Sequence, residues 1–177
     1  MPVITCEEKT SAAPHAQDAV WVANGPGNQL YYPFVSSCVS VTLVFSNGLL
    51  GGHASQVTPD AHNPQLQPAQ NLMSVINRMM AAAPPAAVRG AFRKIYFIGT
   101  TSDNGWNLGQ ATHFITDPAR FGAPAVAAST IGLSPVDIVF DTHNSELYTA
   151  PRNGAAARGA AQTIIDATAI ESTLRYI

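Results

Sequence analysis

Ser36-Ser37-Cys38-Val39-Ser40-Val41-Thr42-Leu43-Val44-Phe45-Ser46-Asn47-Gly48-Leu49-Leu50-Gly51-Gly52-His53-Ala54-Ser55-Gln56 reads as a β-hairpin. Val39, Val41, Leu43 and Phe45 alternate with Ser40, Thr42 and Val44, the period of two that a strand imposes. Asn47-Gly48 is a two-residue turn signal, because both residues tolerate the positive φ of a type I′ turn. Residues 49–57 return as the second strand. Cys38 stands at the entrance of the first strand and His53 lies in the second. A thiol and an imidazole on paired strands are the minimal equipment for cysteine nucleophilic catalysis. The same two residues also suit a plain sheet, with the Cys as a small buried filler and the His on a polar face.

Taken literally, the turn pairs Ser46 with Leu49, so that Thr42 faces His53 and Val57 faces Cys38. Cys38 and His53 then share a face but stand four residues apart. At about 3.4 Å per residue the gap is roughly 13 Å, far beyond a hydrogen bond. A working dyad therefore requires a bulge at Gly51-Gly52, a Cys38 that curls toward His53 before the ladder begins, or a different base, His113 or His143.

Outward from the hairpin, composition narrows the field. A chain of 177 residues with 46% hydrophobic residues is long and apolar enough for a globular core. A net charge of −2 with 11% charged residues lacks the basic face of a nucleic-acid binder. No apolar run approaches about 18 residues, so no membrane span is expected. No basic and then apolar leader opens the chain, so no cleaved signal is expected. Two cysteines, Cys6 and Cys38, are too few for a disulfide scaffold, and with five scattered histidines they show no structural zinc spacing. No phosphate-binding loop is present, since Gly25-Pro26-Gly27 is a turn without a following Lys-Ser/Thr. No cofactor or metal is expected.

In chain order, residues 1–18 read as a flexible arm with a short strand at 3–6, and residues 19–177 as one domain. Residues 19–23 and 29–35 are extended, the second demoted to a sheet edge or a lead-in loop by Pro33. Residues 58–68 form a proline-rich loop that contains His62. Residues 69–83 are a helix with Leu72, Val75, Ile76, Met79 and Met80 on one face, stopped by Pro84-Pro85. Residues 93–100 are a strand. A short helix within 106–121 turns Leu108, Ala111, Phe114 and Ile115 inward. Strands follow at 123–130, 136–140 and 146–149, and 153–177 reads as a helix with an extended end. The fold class is α/β, a β-sandwich or strongly twisted mixed sheet flanked by a few helices.

In this order the chain resembles the bacterial chemotaxis receptor glutamine deamidase (CheD) family. Ser37-Cys38-Val39 is similar to the family's Gly-Ser-Cys-Val nucleophile strand, and Gly51-Gly52 to the segment that leads to its histidine. Gly122-Ala123-Pro124-Ala125-Val126-Ala127-Ala128, followed by Asp137-Ile138-Val139-Phe140-Asp141-Thr142-His143-Asn144-Ser145-Glu146-Leu147, resembles its closing hairpin. The likeness covers residues 36–150. Ser36 stands where the family has Gly, Tyr32 where it has a catalytic Thr, and Ser55 where its histidine would fall. His53 lies two residues before that position, on the same face of the strand. The fifteen-residue interval from Cys38 to His53 resembles toxin deamidases similar to cytotoxic necrotizing factor and Burkholderia lethal factor.

The resemblance implies a Cys–His hydrolase that converts a side-chain amide of a target protein, usually glutamine, to a carboxylate. Cys38 would be the nucleophile and His53 the base. The partner would be a glutamine-bearing protein, with no nucleic acid or membrane involved. The place of action would be the bacterial cytoplasm, or a host cytosol reached without a cleaved signal by an effector or toxin. The alternatives are another Cys–His hydrolase or acyltransferase, or a non-catalytic binding protein on the same fold. The chemistry further asks for backbone N–H donors near Cys38. It also asks for an orienting partner for the imidazole: Tyr32, Ser55 or a backbone carbonyl. Trp106 either lines the cleft with the 100–107 loop or packs in the core. Cys38 is expected to be the reactive thiol, and Cys6 is not.

Overall fold

The structure is a computed structural model that describes residues 2–9, 15–56, 68–99, 105–132, 136–142, 146–151 and 163–166. Its strands are β1 (Val3–Thr5), β2 (Ala19–Ala23), β3 (Gln29–Val35), β4 (Val39–Phe45), β5 (Gly48–Ala54), β6 (Phe92–Gly99), β7 (Ser129–Gly132), β8 (Val136–Asp141), β9 (Glu146–Pro151) and β10 (Thr163–Asp166). Its helices are α1 (Pro68–Ala82), α2 (Ala86–Arg89) and α3 (Leu108–Ile115). The fold is mixed α/β with two mixed five-stranded sheets, one ordered β1-β3-β8-β9-β10 and the other β2-β5-β4-β6-β7. The β1–β3 and β6–β7 pairs are parallel and the other pairs antiparallel.

The two sheets pack face to face, and α1 and α3 cover the outer face of the second. Leu30, Tyr32, Ile138 and Phe140 of the first sheet share one core with Val20, Val22, Leu49, Tyr96 and Ile98 of the second. Val39, Val41, Leu43 and Phe45, on the opposite face of β4, share another with Leu72, Val75, Ile76 and Met79 of α1 and with Ala111 and Ile115 of α3. The central strands β4 and β5 are thus covered on both sides, which is why nearly every residue in them is buried. Alternation in β4 then sorts chemistry and not exposure. Val39, Val41, Leu43 and Phe45 meet the helices, and Ser40, Thr42 and half-buried Val44 point between the sheets. There Ser40 Oγ donates to the Ile98 carbonyl at 3.1 Å and Thr42 Oγ1 bonds the Tyr32 hydroxyl at 2.8 Å. Buried hydroxyls partnered in this way avoid the cost of an unsatisfied polar group.

The expected helix over 69–83 is α1; Leu72, Val75, Ile76 and Met79 of its predicted apolar face are buried and Met80 is half-buried. Each of those fully buried side chains contributes about 1.5–3 kcal/mol of transfer free energy. Ala83 precedes Pro84, whose ring disfavours the helical conformation of the residue before it. The short helix expected within 106–121 is α3, begun by Asn107, whose side chain accepts from the Gln110 N–H at 3.2 Å.

Several expectations are corrected. Pro33 does not mark an edge: β3 lies between β1 and β8. β1 pairs β3 only over Gln29–Tyr31, and the β3–β8 register shifts between Tyr32 and Val35. Pro33 therefore falls at a bulge beyond the reach of β1, where its missing N–H breaks no ladder. The adjoining Phe34 is held at φ 53° with its N–H on Asp137 Oδ1 at 2.8 Å. The strand expected at 123–130 is confined to β7, four residues that run parallel to β6. The helix expected over 153–177 contains the strand β10, antiparallel to β9, and the rest of that range lies outside the described residues. The arm expected over 1–18 is tied in where it is described. β1 pairs with β3, Cys6 N–H donates to the Tyr31 carbonyl at 2.8 Å, and Glu7 N–H to the Gln17 carbonyl at 2.9 Å. Among the described residues no helix is long and apolar enough to cross a membrane.

Candidate functional site: a thiol and an imidazole between the sheets

The hairpin closes differently from the sequence expectation, and the difference assembles the site. The turn residues are Ser46 and Asn47, and Phe45 pairs with Gly48. Neither Asn47 nor Gly48 has a positive φ, so this is not the expected type I′ turn. Contacts from outside the hairpin set it. Ser46 N–H donates to the Ala91 carbonyl at 2.9 Å, Asn47 Nδ2 to the Val88 carbonyl at 3.0 Å, and Asn24 N–H to the Asn47 carbonyl at 2.8 Å. Gly48 is glycine for a packing reason: a Cβ there would stand 2.4 Å from the Val22 carbonyl oxygen.

The register is therefore displaced by two residues and His53 faces Ser40. A shift of two preserves the face, so His53 still points between the sheets and now stands near the start of β4. Cys38 lies just before the ladder and closes the remaining distance. Its Sγ is 2.9 Å from His53 Nε2. No bulge occurs at Gly51-Gly52, where pairing is regular. Gly52 is small because a Cβ would stand within 2.8 Å of Val75 Cγ1 on α1.

His53 is fixed through its other nitrogen. Nδ1 is 3.0 Å from the Cys6 carbonyl oxygen, a group that accepts and never donates, so Nδ1 carries the proton. In the neutral ring Nε2 is then the bare acceptor and the Cys38 S–H donates to it. A weaker contact links Sγ to the Phe34 carbonyl at 3.5 Å, supplied by the Pro33–Phe34 bulge. Of the three orienting groups considered, the backbone carbonyl holds the imidazole. The Tyr32 ring sits edge-on to it at 5.8 Å, with its hydroxyl committed to the Val41 carbonyl and Thr42. His53 N–H donates to the Asp18 carbonyl at 3.0 Å, and the buried Asp18 carboxylate grips the Arg78 guanidinium of α1 by a two-pronged pair. Strand β5 is thus tied beside the imidazole to both β2 and the helix layer.

Glu8 completes the cluster. One carboxylate oxygen, Cys38 Sγ and a His53 ring nitrogen lie within 4.8 Å of one another. Glu8 is half-buried and bonded by Ser55, whereas Cys38 and His53 have essentially no exposure. Burial pushes the Cys38 thiol up to about 12, and the Glu8 charge adds to the rise, while backbone N–H groups of Ser36 and Cys38 work against it. Burial holds His53 down to about 4, opposed by the Cys6 carbonyl and by Asp18. The resting pair is thus neutral thiol and neutral imidazole at pH 7. Cys6 is buried as well, and desolvation with Asp18 and Glu7 raises its thiol further from ionisation.

These directions fix a pH dependence. The unfolded chain protonates His53 near its ordinary 6.5, and the folded chain near 4. Between those values the unfolded state binds more protons, so stability falls as pH drops from 6.5 to 4, by up to about 3 kcal/mol. Cys38 gives the opposite limb: its folded value lies above its ordinary 9.0, so stability falls as pH rises from there toward 12. Urea unfolding of the native chain and of His53→Gln at pH 7, 5.5 and 4.5 checks the acid limb. A clearly shallower loss is expected in the variant, and equal losses would assign the limb to other groups.

The other expected candidates lie elsewhere. His113 is exposed on α3, across the second sheet from Cys38 and His53, and Trp106 is buried in the helix-side core. His62, His143 and residues 100–104 fall outside the described residues. Sequence reasoning missed Glu8, the Cys6 carbonyl and the Asp18–Arg78 tie. A carbonyl leaves no mark in a sequence, and Glu8 carries none beyond being an acid in a polar stretch. Neither a scan against protein-family models nor a search of curated proteins finds a match to this chain.

Proposed function

We propose that this protein is a cysteine-dependent amidohydrolase, a protein glutamine deamidase similar to the CheD and necrotizing-factor enzymes, with Cys38 as nucleophile and His53 as base. The observation that carries the reading is the 2.9 Å contact between Cys38 Sγ and His53 Nε2, in a ring whose Nδ1 proton is held by the Cys6 carbonyl. That arrangement supplies a nucleophile, a base of the right tautomer and an orienting group. Order along the chain supports the finer assignment: the Ser37-Cys38-Val39 strand entrance, then Gly51-Gly52 and His53, then the helix and the strands that follow.

The chemistry proceeds in two halves. Cys38 S–H passes its proton to His53 Nε2 as sulfur attacks the amide carbon of a glutamine side chain. The oxyanion forms beside the backbone N–H groups of Ser36 and Cys38, which already point at the sulfur. The imidazolium returns the proton to the leaving nitrogen, and ammonia departs from the thioester. Water, deprotonated by His53, then cleaves the thioester and leaves a carboxylate. Since the resting pair is neutral and covered, a glutamine would enter past half-buried Glu8, the least buried member of the cluster.

The test is incubation of the purified protein with a bacterial or host-cell lysate, reading free ammonia and peptide masses. Ammonia release with a gain of about one dalton at glutamine, and intact target backbones, is the expected result of this nucleophilic hydrolysis. Backbone cleavage without ammonia would replace the reading with a protease. Neither change would reject hydrolysis of protein amides.

A further inference from the structure

We propose that Glu8, Cys38 and His53 form a binding site for zinc, a thiophilic divalent cation whose occupancy silences the dyad. The inference stands on the geometry of the three side chains and not on the deamidase reading. They come from three separated segments: the stretch after β1, the residue before β4, and β5. No ligand spacing in the sequence could therefore announce them.

One carboxylate oxygen, one sulfur and one imidazole nitrogen converge within 4.8 Å of one another. Zinc is the ion that takes all three donor types, at about 2.3 Å to sulfur and about 2.0–2.2 Å to nitrogen and oxygen. Tetrahedral geometry at those lengths separates sulfur from nitrogen by about 3.5 Å. The Cys38–His53 pair, now 2.9 Å apart, opens by about 0.6 Å to admit the ion. Magnesium and calcium prefer sets of oxygen ligands and do not suit a thiolate.

The surroundings add a second, independent observation. Metal-bound histidines donate their far ring N–H to a carbonyl or carboxylate, which fixes the tautomer. His53 already does this: Nδ1–H is on the Cys6 carbonyl at 3.0 Å, and Nε2 faces Cys38 Sγ at 2.9 Å. The Glu8 carboxylate is likewise hydrogen-bonded by Ser55. Charge closes as well, since a thiolate and a carboxylate neutralise a dication and the imidazole contributes none. A buried site with no net charge avoids the desolvation cost of an isolated ion.

Binding is a substitution without redox change. The Cys38 S–H bond breaks, a sulfur–zinc bond forms, and the proton leaves to solvent, while Nε2 and a Glu8 oxygen donate lone pairs and water takes the fourth position. The lone pairs that the hydrolysis needs, on sulfur and on Nε2, are then both occupied.

Cobalt(II) is the probe, titrated into the full chain and displaced by zinc. The expected result is one ion per chain, a near-ultraviolet thiolate-to-cobalt charge-transfer band and visible bands of tetrahedral intensity, all erased by zinc. The charge-transfer band should persist in Cys6→Ser and vanish in Cys38→Ser. Cobalt should bind at least about tenfold more weakly to Glu8→Gln, since losing even an outer contact of a metal ligand costs that much. No band in the native chain, a band that survives Cys38→Ser, or unchanged affinity in Glu8→Gln would overturn the site. If Cys38→Ser does not fold, native alkylation with and without zinc decides: zinc is expected to protect Cys38, and equal labelling refutes the proposal. Cobalt binding without deamidation defeats the enzyme reading alone, and deamidation without cobalt binding defeats this one alone.

Discussion

Cys38→Ser is expected to lower deamidation turnover at least about a thousandfold while leaving the fold in place. On the proposed mechanism Cys38 must surrender its proton to an imidazole that burial holds near 4. A thiol at about 12 is already a reluctant partner for so weak a base. A serine hydroxyl is more reluctant still, and its oxygen is the poorer nucleophile once formed. Stability should change by less than about 1.5 kcal/mol, because the swap nearly conserves volume. The hydroxyl also inherits acceptors for its proton at His53 Nε2 and the Phe34 carbonyl. Ammonia release by both proteins under matched conditions is the measurement, with circular dichroism to verify folding. A Cys38→Ser protein that deamidates at the native rate would remove Cys38 from the chemistry.

Cys38 and His53 were legible in the sequence as a candidate pair, and their assembly with Glu8 and the Cys6 carbonyl was not. Periodicity found β4 and its partner strand, because alternating Val, Ser, Thr and Leu has no other good reading over so short a run. The register depended on Asn47-Gly48, and there the local signal misled. Gly48 answers to the Val22 carbonyl and the Trp21 ring pressed against it, and Asn47 to the Val88 and Arg89 carbonyls. Those demands come from β2 and from the segment before β6, and no window around the hairpin contains them. A two-residue slip keeps every side chain on its face, so composition and alternation cannot detect it. It removed about 6.8 Å, two residues of rise, from the expected separation of Cys38 and His53.

The layers were half legible for a related reason. The apolar face of α1 follows from spacing within one segment, and that face packs on the second sheet. That β4 and β5 lie in the middle of three layers depends on what covers their far faces. The cover includes β3, whose Pro33 argues for an edge, and the N-terminal segment, whose polarity argues for solvent. Proline is harmless in β3 because β1 ends at Thr5 and leaves that stretch of β3 unpaired on one side. The segment after β1 is polar at Glu7 and Glu8 yet seats Cys6 fully inside, with its carbonyl on His53.

Gly99→Ala should cost about 4 kcal/mol of stability and, where the protein still folds, at least about a hundredfold in turnover. Gly99 ends β6, opposite Val39, at φ 140°. L-residues with a side chain rarely adopt that conformation, and forcing one to do so costs of order 1–3 kcal/mol before any clash. The clash is with backbone: an added Cβ would stand 2.4 Å from the Cys38 carbonyl oxygen and 2.9 Å from Val35 Cγ1. No rotamer change relieves a contact with a carbonyl that belongs to Cys38 itself. Either the end of the β4–β6 ladder opens or Cys38 moves away from His53. A displacement near 1 Å at the reacting sulfur is enough for the loss of rate. Gly99 is in this sense a positioning residue, so the loss should fall on kcat with KM little changed. Gly109→Ala is the matched control. Gly109 lies within α3, and a Cβ there meets nothing within 4 Å. That change should stabilise the protein by about 0.5–1 kcal/mol, the ordinary gain of alanine over glycine in a helix. Should Gly99→Ala behave like Gly109→Ala in denaturation and in turnover, the end of β6 does not hold the nucleophile, and the thiol is positioned by the Ser36–Ser37 lead-in and the Phe34 bulge alone.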